Sequence, residues 1–191
     1  MRKIAVAITG ASGSIYAARF LEHLRRLRDQ VPLEVSLVFS ENAPTVWTWE
    51  LQMPLPTDFH TYHVKDYFAP FASGSAKYEA LVIIPCSMGT VGRIASGISD
   101  DLITRAADVM LKERRRLILV PRETPLHAGH LENLLRVAQL GGIVVPAMPS
   151  FYSRPADIEA LVDTVVLRVL DLLALPIEYQ RWGSEPPSRS V

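Results

Sequence analysis

Gly10, Ser12, Gly13 and Ser14 stand together in the stretch TGASGS, a combination suited to holding a phosphate. Glycines let the chain turn sharply and leave room for a ligand against the main chain. The two hydroxyls can cap a helix or bind an anion, and a helix N-terminus behind the loop offers N–H groups without partners. A turn that merely links strand to helix has the same composition. The spacing discriminates among nucleotides. A dinucleotide fold usually carries G-x-G-x-x-G and an acidic residue ending its second strand. Here the glycines are Gly10 and Gly13, Tyr16 stands where a third would be, and the second strand ends Val38-Phe39-Ser40 with Glu41 one residue late. A phosphate-bearing mononucleotide such as FMN fits better than NAD.

Charged residues on apolar stripes are the next candidates. Ile158, Leu161, Val165, Arg168 and Leu172 recur at steps of three and four, which puts a guanidinium on one helix face with aliphatic groups. An unpaired buried charge is very unfavourable, so Arg168 requires an anionic ligand, a core carboxylate or a neighbouring subunit, and the pattern leaves these open. Glu50 follows Ala43, Val46 and Trp47 on a second stripe. Facing inward it would have a raised pKa suited to proton transfer; at a helix end it can equally turn to water. Arg122 and Glu123 lie at a strand end, where functional groups gather but charged loop pairs are also ordinary. Asp101, Arg105, Asp108 and Lys112 form a charged helical face with two i,i+4 pairs, expected to be solvated. Cys86 has no base at a fixed spacing and reads as inert. The pairs His60/His63 and His127/His130 lack the carboxylate context of a metal site, so no metal is expected.

The elements that position these groups alternate. Strands are expected at Ile4 to Ile8, Leu33 to Phe39, Ala80 to Ile84, Leu117 to Val120 and Ile143 to Val145. Helices are expected after the glycine loop, over Ala43 to Leu51, to about Ala95, over Asp101 to Arg114, Gly129 to Gln139 and Ala156 to Leu173. Residues 52–75, rich in proline, read as a long irregular loop. Strands separated by helices imply a mostly parallel sheet covered on both faces, a three-layer Rossmann-like, flavodoxin-like α/β sandwich. Ligands of such sheets bind beyond the carboxyl ends of the strands. There the segments from Gly10 to Ser14, Ser40, Ser87 to Thr90 and Arg122-Glu123 should converge.

Composition narrows the classes. The 191 residues suit one domain, expected over 1–183 with a loose tail at 184–191. Twenty basic and twenty acidic residues cancel, giving a nucleic-acid partner no overall electrostatic support. One cysteine excludes an internal disulfide. No apolar run reaches membrane-spanning length, and the chain enters a strand at once, so a cytoplasmic location is expected.

Taken together, the segments ITGASGSIYAARFL, SENA with Glu50 ten residues after Ser40, FASGS, PCSMGT, DDLITRAADVMLKERRRLILVPRETPLHAGHLENL and PSFYSRP resemble the UbiX/Pad-type flavin prenyltransferases. That flavoprotein family shares its fold with the flavin-dependent cysteine decarboxylases. The resemblance covers nearly the whole chain, and its long middle stretch and FY-x-x-P segment are the most specific parts. It implies joining of a dimethylallyl group from dimethylallyl phosphate to N5 and C6 of reduced FMN. The product would be prenylated FMN for UbiD-type decarboxylases. It further implies that Gly10, Ala11, Ser12, Ser40, Ser87, Met88, Gly89, Thr90 and Arg122 hold FMN. Lys112, Arg122, Tyr152 and Arg168 would grip the prenyl phosphate, with Arg105 joining from a neighbouring subunit. Ser12, Glu50 and Glu123 would handle protons. The charged face bearing Arg105 and Lys112 would then lie at a subunit interface, in a homo-oligomer that is typically dodecameric. Tyr67 stands where some relatives carry tryptophan beside the substrate, and Trp182 follows a C-terminal stretch of variable length. A cysteine-type decarboxylase, relying on a histidine of the His60/His63 region, and a non-catalytic FMN carrier are the alternatives.

Overall fold

The computed structural model describes residues 1–179; Arg181, Trp182, Gly183 and the expected tail lie outside them. Among the described residues, six strands form one parallel sheet. They are β1 (Arg2–Ile8), β2 (Leu33–Phe39), β3 (His60–Tyr62), β4 (Ala80–Cys86), β5 (Arg116–Pro121) and β6 (Ile143–Val144). The helices between them are α1 (Ser14–Arg28), α2 (Ala43–Leu51), α3 (Met88–Ala95), α4 (Leu102–Lys112), α5 (Ala128–Gln139) and α6 (Ile158–Leu172). The spatial order is β3-β2-β1-β4-β5-β6, so the winding reverses between β1 and β4.

β3 is a correction to the sequence reading, which left residues 52–75 irregular. His60 and Tyr62 pair with Ser36 and Val38 of β2. A strand of three residues between prolines carries too little alternation to be legible. What fixes it is tertiary: the Tyr62 ring meets Phe71 edge-on at 5.3 Å, and Phe71 meets Tyr78 at 5.5 Å. The Tyr78 hydroxyl in turn donates to Glu34 at 2.9 Å and bonds Ser36 at 2.8 Å, both on β2. Without β3 the five expected strands take the flavodoxin-type order 2-1-3-4-5; with it the order is of the Rossmann type 3-2-1-4-5-6.

Alternation along the central strands separates two cores. Ile4, Val6 and Ile8 of β1 face α1, α2 and α6, while Ala5 and Ala7 face α3, α4 and α5. The strands are buried on both sides, hence their nearly continuous aliphatic sequence. Each fully buried Ile, Leu or Val stabilises the fold by about 2 kcal/mol. Local signals set the helix ends. Asp101 and Thr104 make a reciprocal capping box on α4, Asp157 accepts from Ala160 N at 2.7 Å to start α6, and Gly141 takes φ 98° just after α5.

The stripe assigned to α6 is also corrected. Its buried residues are Val162, Val165, Val166, Val169 and Leu170, and Ile158 is exposed. The valine-rich helix offers two overlapping stripes, and the sheet takes the one that excludes Arg168. On α4 the expected i,i+4 pairs do not form. Arg105 meets Asp108 at 3.3 Å and Lys112 meets Glu113 at 2.6 Å, while Asp101 is buried in its cap and paired with Arg93 at 2.6 Å.

Candidate active site

The loops after β1 and β4 meet at the switch point, and Thr9 ties them together. Its hydroxyl donates to the Pro85 carbonyl at 2.8 Å and accepts from Ser87 N at 2.8 Å. Sequence reasoning passed over Thr9, although a hydroxyl ending a buried strand directly before a glycine loop is a readable sign. Gly10 allows a third loop to close in: a Cβ there would lie 3.0 Å from Cβ of Asn42, at the start of α2. Gly13 takes φ 108°, open to glycine and strained for other residues, and the Tyr16 ring packs against it.

The N-terminus of α1 is not available to a phosphate, contrary to expectation. Glu50, at the end of α2, fills it. Its carboxylate accepts from Gly13 N at 2.9 Å and from Ser14 N at 2.7 Å. The Ser12 and Ser14 hydroxyls also bond Glu50 instead of serving an anion. The expected raised pKa is reversed. Burial pushes the Glu50 carboxyl upward, but the Ser12 hydroxyl and the Ser14 and Gly13 amides together outweigh it and hold the group below 4.5. Arg122 completes this cluster, donating from Nε to the Ser12 carbonyl at 3.0 Å. Among the described residues its two terminal nitrogens have no protein acceptor. Glu123 is exposed and accepts from Thr124 N at 3.1 Å.

A phosphate finds its place one loop further on. A cleft of about 360 Å³ is lined by Gly10, Ser40, Ser87 and Thr90, with Glu41, Lys65, Arg93, Asp100 and Asp101 around it. Ser87 caps α3, accepting from Thr90 N at 3.3 Å. Among the described residues the N–H groups of Met88 and Gly89 have no acceptor, so α3 presents the unfilled N-terminus that α1 lacks. The Met88 side chain itself is in the core; its contribution is its backbone. Ala11 is buried within the first loop. Arg93, unremarked in the sequence, holds Asp100 at 2.8 Å and Asp101 at 2.6 Å. It neutralises two carboxylates that would otherwise repel an anion.

A larger groove, of about 790 Å³, opens between α6 and the loop after β6. Tyr152 and Arg168 both line it. Arg168 is 55% exposed at its side chain and pairs with Asp171 at 2.7 Å, so it is a groove residue and no buried cation. Arg105 and Lys112 are elsewhere. Both sit on α4, on the opposite face of the sheet from α6; Arg105 donates to the Ala72 carbonyl at 3.1 Å. Tyr67 is exposed and lines neither the cleft nor the groove.

The remaining candidates are quiet. Cys86 is fully buried, which pushes its thiol pKa far upward. The His60 ring packs on Tyr62 at 4.4 Å, and His63 Nδ1 accepts from Lys65 N at 3.2 Å. His127 and His130 stack at 3.6 Å. No helix among the described residues is long and apolar enough to cross a membrane.

Comparisons with known proteins identify the family. The Flavoprotein family model matches residues 1–170. A flavin prenyltransferase UbiX of Methanocaldococcus jannaschii is 46% identical over 189 residues, covering 95% of this chain and 99% of the relative. A dodecameric FMN-dependent UbiX-like decarboxylase from Escherichia coli is 39% identical, with TM-score 0.87 over 96% of this chain and 100% of its own. A crystal structure of AnUbiX in complex with FMN and dimethylallyl pyrophosphate is 41% identical, with TM-score 0.88 over 97% and 99%.

Proposed function

Because the chain belongs to the Flavoprotein family and, within it, to the UbiX flavin prenyltransferases, we propose that it joins a dimethylallyl group from dimethylallyl phosphate to N5 and C6 of reduced FMN. The prenylated FMN would pass to a UbiD-type decarboxylase. The flavin phosphate fits the cleft at α3, where the Met88 and Gly89 amides lack acceptors and Ser40, Ser87 and Thr90 add hydroxyls. Gly10 lines that cleft, and Ala11, Ser12 and Arg122 would extend the flavin site from it along the first loop. Reduced FMN supplies the nucleophilic positions.

The observation that carries the transferase reading is the groove shared by Tyr152 and Arg168. A phenol and a guanidinium facing one space suit a departing phosphate, since the first can donate a proton-sharing hydrogen bond and the second stabilises developing charge. Arg122, tied to the Ser12 carbonyl through Nε, would turn its terminal nitrogens to the same anion, and Lys112 and Arg105 can complete the shell only from a neighbouring chain. Glu50, ionised at neutral pH, serves as proton acceptor, with Ser12 bonded to it and Glu123 as a second carboxylate. An FMN carrier would need neither the groove nor Glu50, and a histidine-dependent decarboxylase would need His60 or His63 in the cleft.

The test is anaerobic incubation of the protein with reduced FMN and dimethylallyl phosphate, then mass spectrometry of the released flavin. A flavin heavier by one C5H8 unit is expected, and unchanged FMN with both ligands bound refutes the transferase. Arg168→Ala and Tyr152→Phe are each expected to weaken prenyl phosphate binding by about tenfold or more while sparing FMN. Loss of FMN binding in both variants would remove the two residues from the prenyl phosphate site.

A further inference from the structure

Tyr152 and Arg168 belong to different segments, and their separation across the groove has to be set by something other than themselves. Val145 N bonds the Leu119 carbonyl at 2.8 Å and Ala147 N bonds that of Pro121 at 3.0 Å, which moors the start of the loop to β5. Beyond Ala147 the loop leaves the sheet. There Ser150 N donates to Thr164 Oγ1 at 3.0 Å, and the same hydroxyl donates to the Leu161 carbonyl at 2.7 Å.

We infer that Thr164 is a positioning residue of the prenyl phosphate site, its hydroxyl setting the distance between Tyr152 and Arg168; this rests on the function proposed above. Thr164 lines the groove itself and stands one helical turn before Arg168, on the same face of α6. Ser150 stands two residues before Tyr152. The single bond between them therefore acts close to both phosphate-holding groups. Its direction is fixed. With the hydroxyl hydrogen committed to Leu161, the oxygen presents only lone pairs to the loop and can meet an N–H alone. The bond to the Leu161 carbonyl selects one of the two χ1 rotamers open to a helical threonine, so the acceptor is held in one place. Valine has nearly the same shape and no acceptor. Serine keeps the acceptor with less constraint.

The experiment is calorimetric binding of dimethylallyl phosphate to the FMN-loaded protein, alongside steady-state turnover. Thr164→Val is expected to raise the Kd and KM for the prenyl phosphate by roughly tenfold, with kcat at saturation changed less than about threefold and FMN affinity unchanged. Thr164→Ser should return Kd and KM to near wild type. Ser150→Pro removes the donor from the other side without touching the helix, should reproduce the Thr164→Val effect, and decides the matter if that variant does not fold. Equal Kd in wild type and the folded variants overturns the role of Thr164 alone, as does a serine variant as weak as the valine one or a matching loss of FMN affinity. Failure of the wild type to bind the prenyl phosphate overturns both this inference and the function beneath it.

Discussion

Two backbone amides and two serine hydroxyls decide what Glu50 can do. A carboxyl at a helix end, partly desolvated, would on burial alone be the proton donor of the pair it forms with substrate. Hydrogen bonds from Ser12, Ser14 and Gly13 prevent this by favouring the anion. The sign for pH follows. A carboxylate held below its ordinary value stays ionised through the usual carboxylate range, so an activity that needs it as base has its acidic limb below that range. Glu50→Gln should keep flavin binding, because an amide oxygen can still accept from Gly13 and Ser14, yet turn over at least about 100-fold more slowly. An acidic limb at or above the usual carboxylate range that disappears in Glu50→Gln would contradict the assignment as an ionised base. The residue type and its place on α2 were legible in the sequence. Its protonation state was not, because the groups that set it come from a loop some forty positions away. Arg168 teaches the same lesson in reverse: its spacing fits a stripe, but which of two stripes the sheet selects depends on packing.

At the level of elements, α1 and α6 carry the two halves of the proposed site, the glycine loop at the start of one and Arg168 on the other. Asp163 joins them. Burial alone would raise its pKa; the neighbouring His23, 3.3 Å away, and Arg19, at 2.5 and 3.0 Å in better hydrogen-bond geometry, bring it down to about 2. With the side chain 14% exposed, the fall from 3.8 corresponds to about 2 kcal/mol of stability. A depressed carboxylate pKa gives stability that is complete above the unfolded value and is lost as pH falls through the folded one. Asp163→Asn should thus lower the urea midpoint at neutral pH by about 2 kcal/mol in free energy, and the difference from wild type should shrink as pH falls from about 4 towards 2. A difference that stays constant over that range would show that Asp163 acts by packing alone. Helix and strand identities were readable here from caps, glycines and apolar runs. β3 was not, since a three-residue edge strand exists only through β2 and the Tyr62–Phe71–Tyr78 contacts.

For the whole molecule, the sheet itself dictates that one chain cannot bring the cations of α4 to the groove of Arg168. Arg105 and Lys112 project from α4 on one face, while Arg168 belongs to α6 on the other. No side-chain rearrangement carries Lys112 around a six-stranded sheet. Either the cations of α4 have no part in the site, or a second copy brings them. Exposed leucines support the second copy: Leu131 and Leu135 form an i,i+4 pair on α5, whose buried residue is Val137, a stripe with no cover among the described residues. Charges at helical spacing alone favoured a solvated face for α4; the family resemblance put that face at a subunit interface, and the sheet topology supplies the physical reason. Mixing tests it. Lys112→Ala and Arg168→Ala should each be nearly inactive as pure oligomers. Co-expressed in equal amounts, they should recover about a quarter of wild-type turnover. Half the chains contribute an intact Arg168, and half of their neighbours an intact Lys112. Sites drawn from a single chain would give no recovery at all, because every such site would carry one of the two lesions.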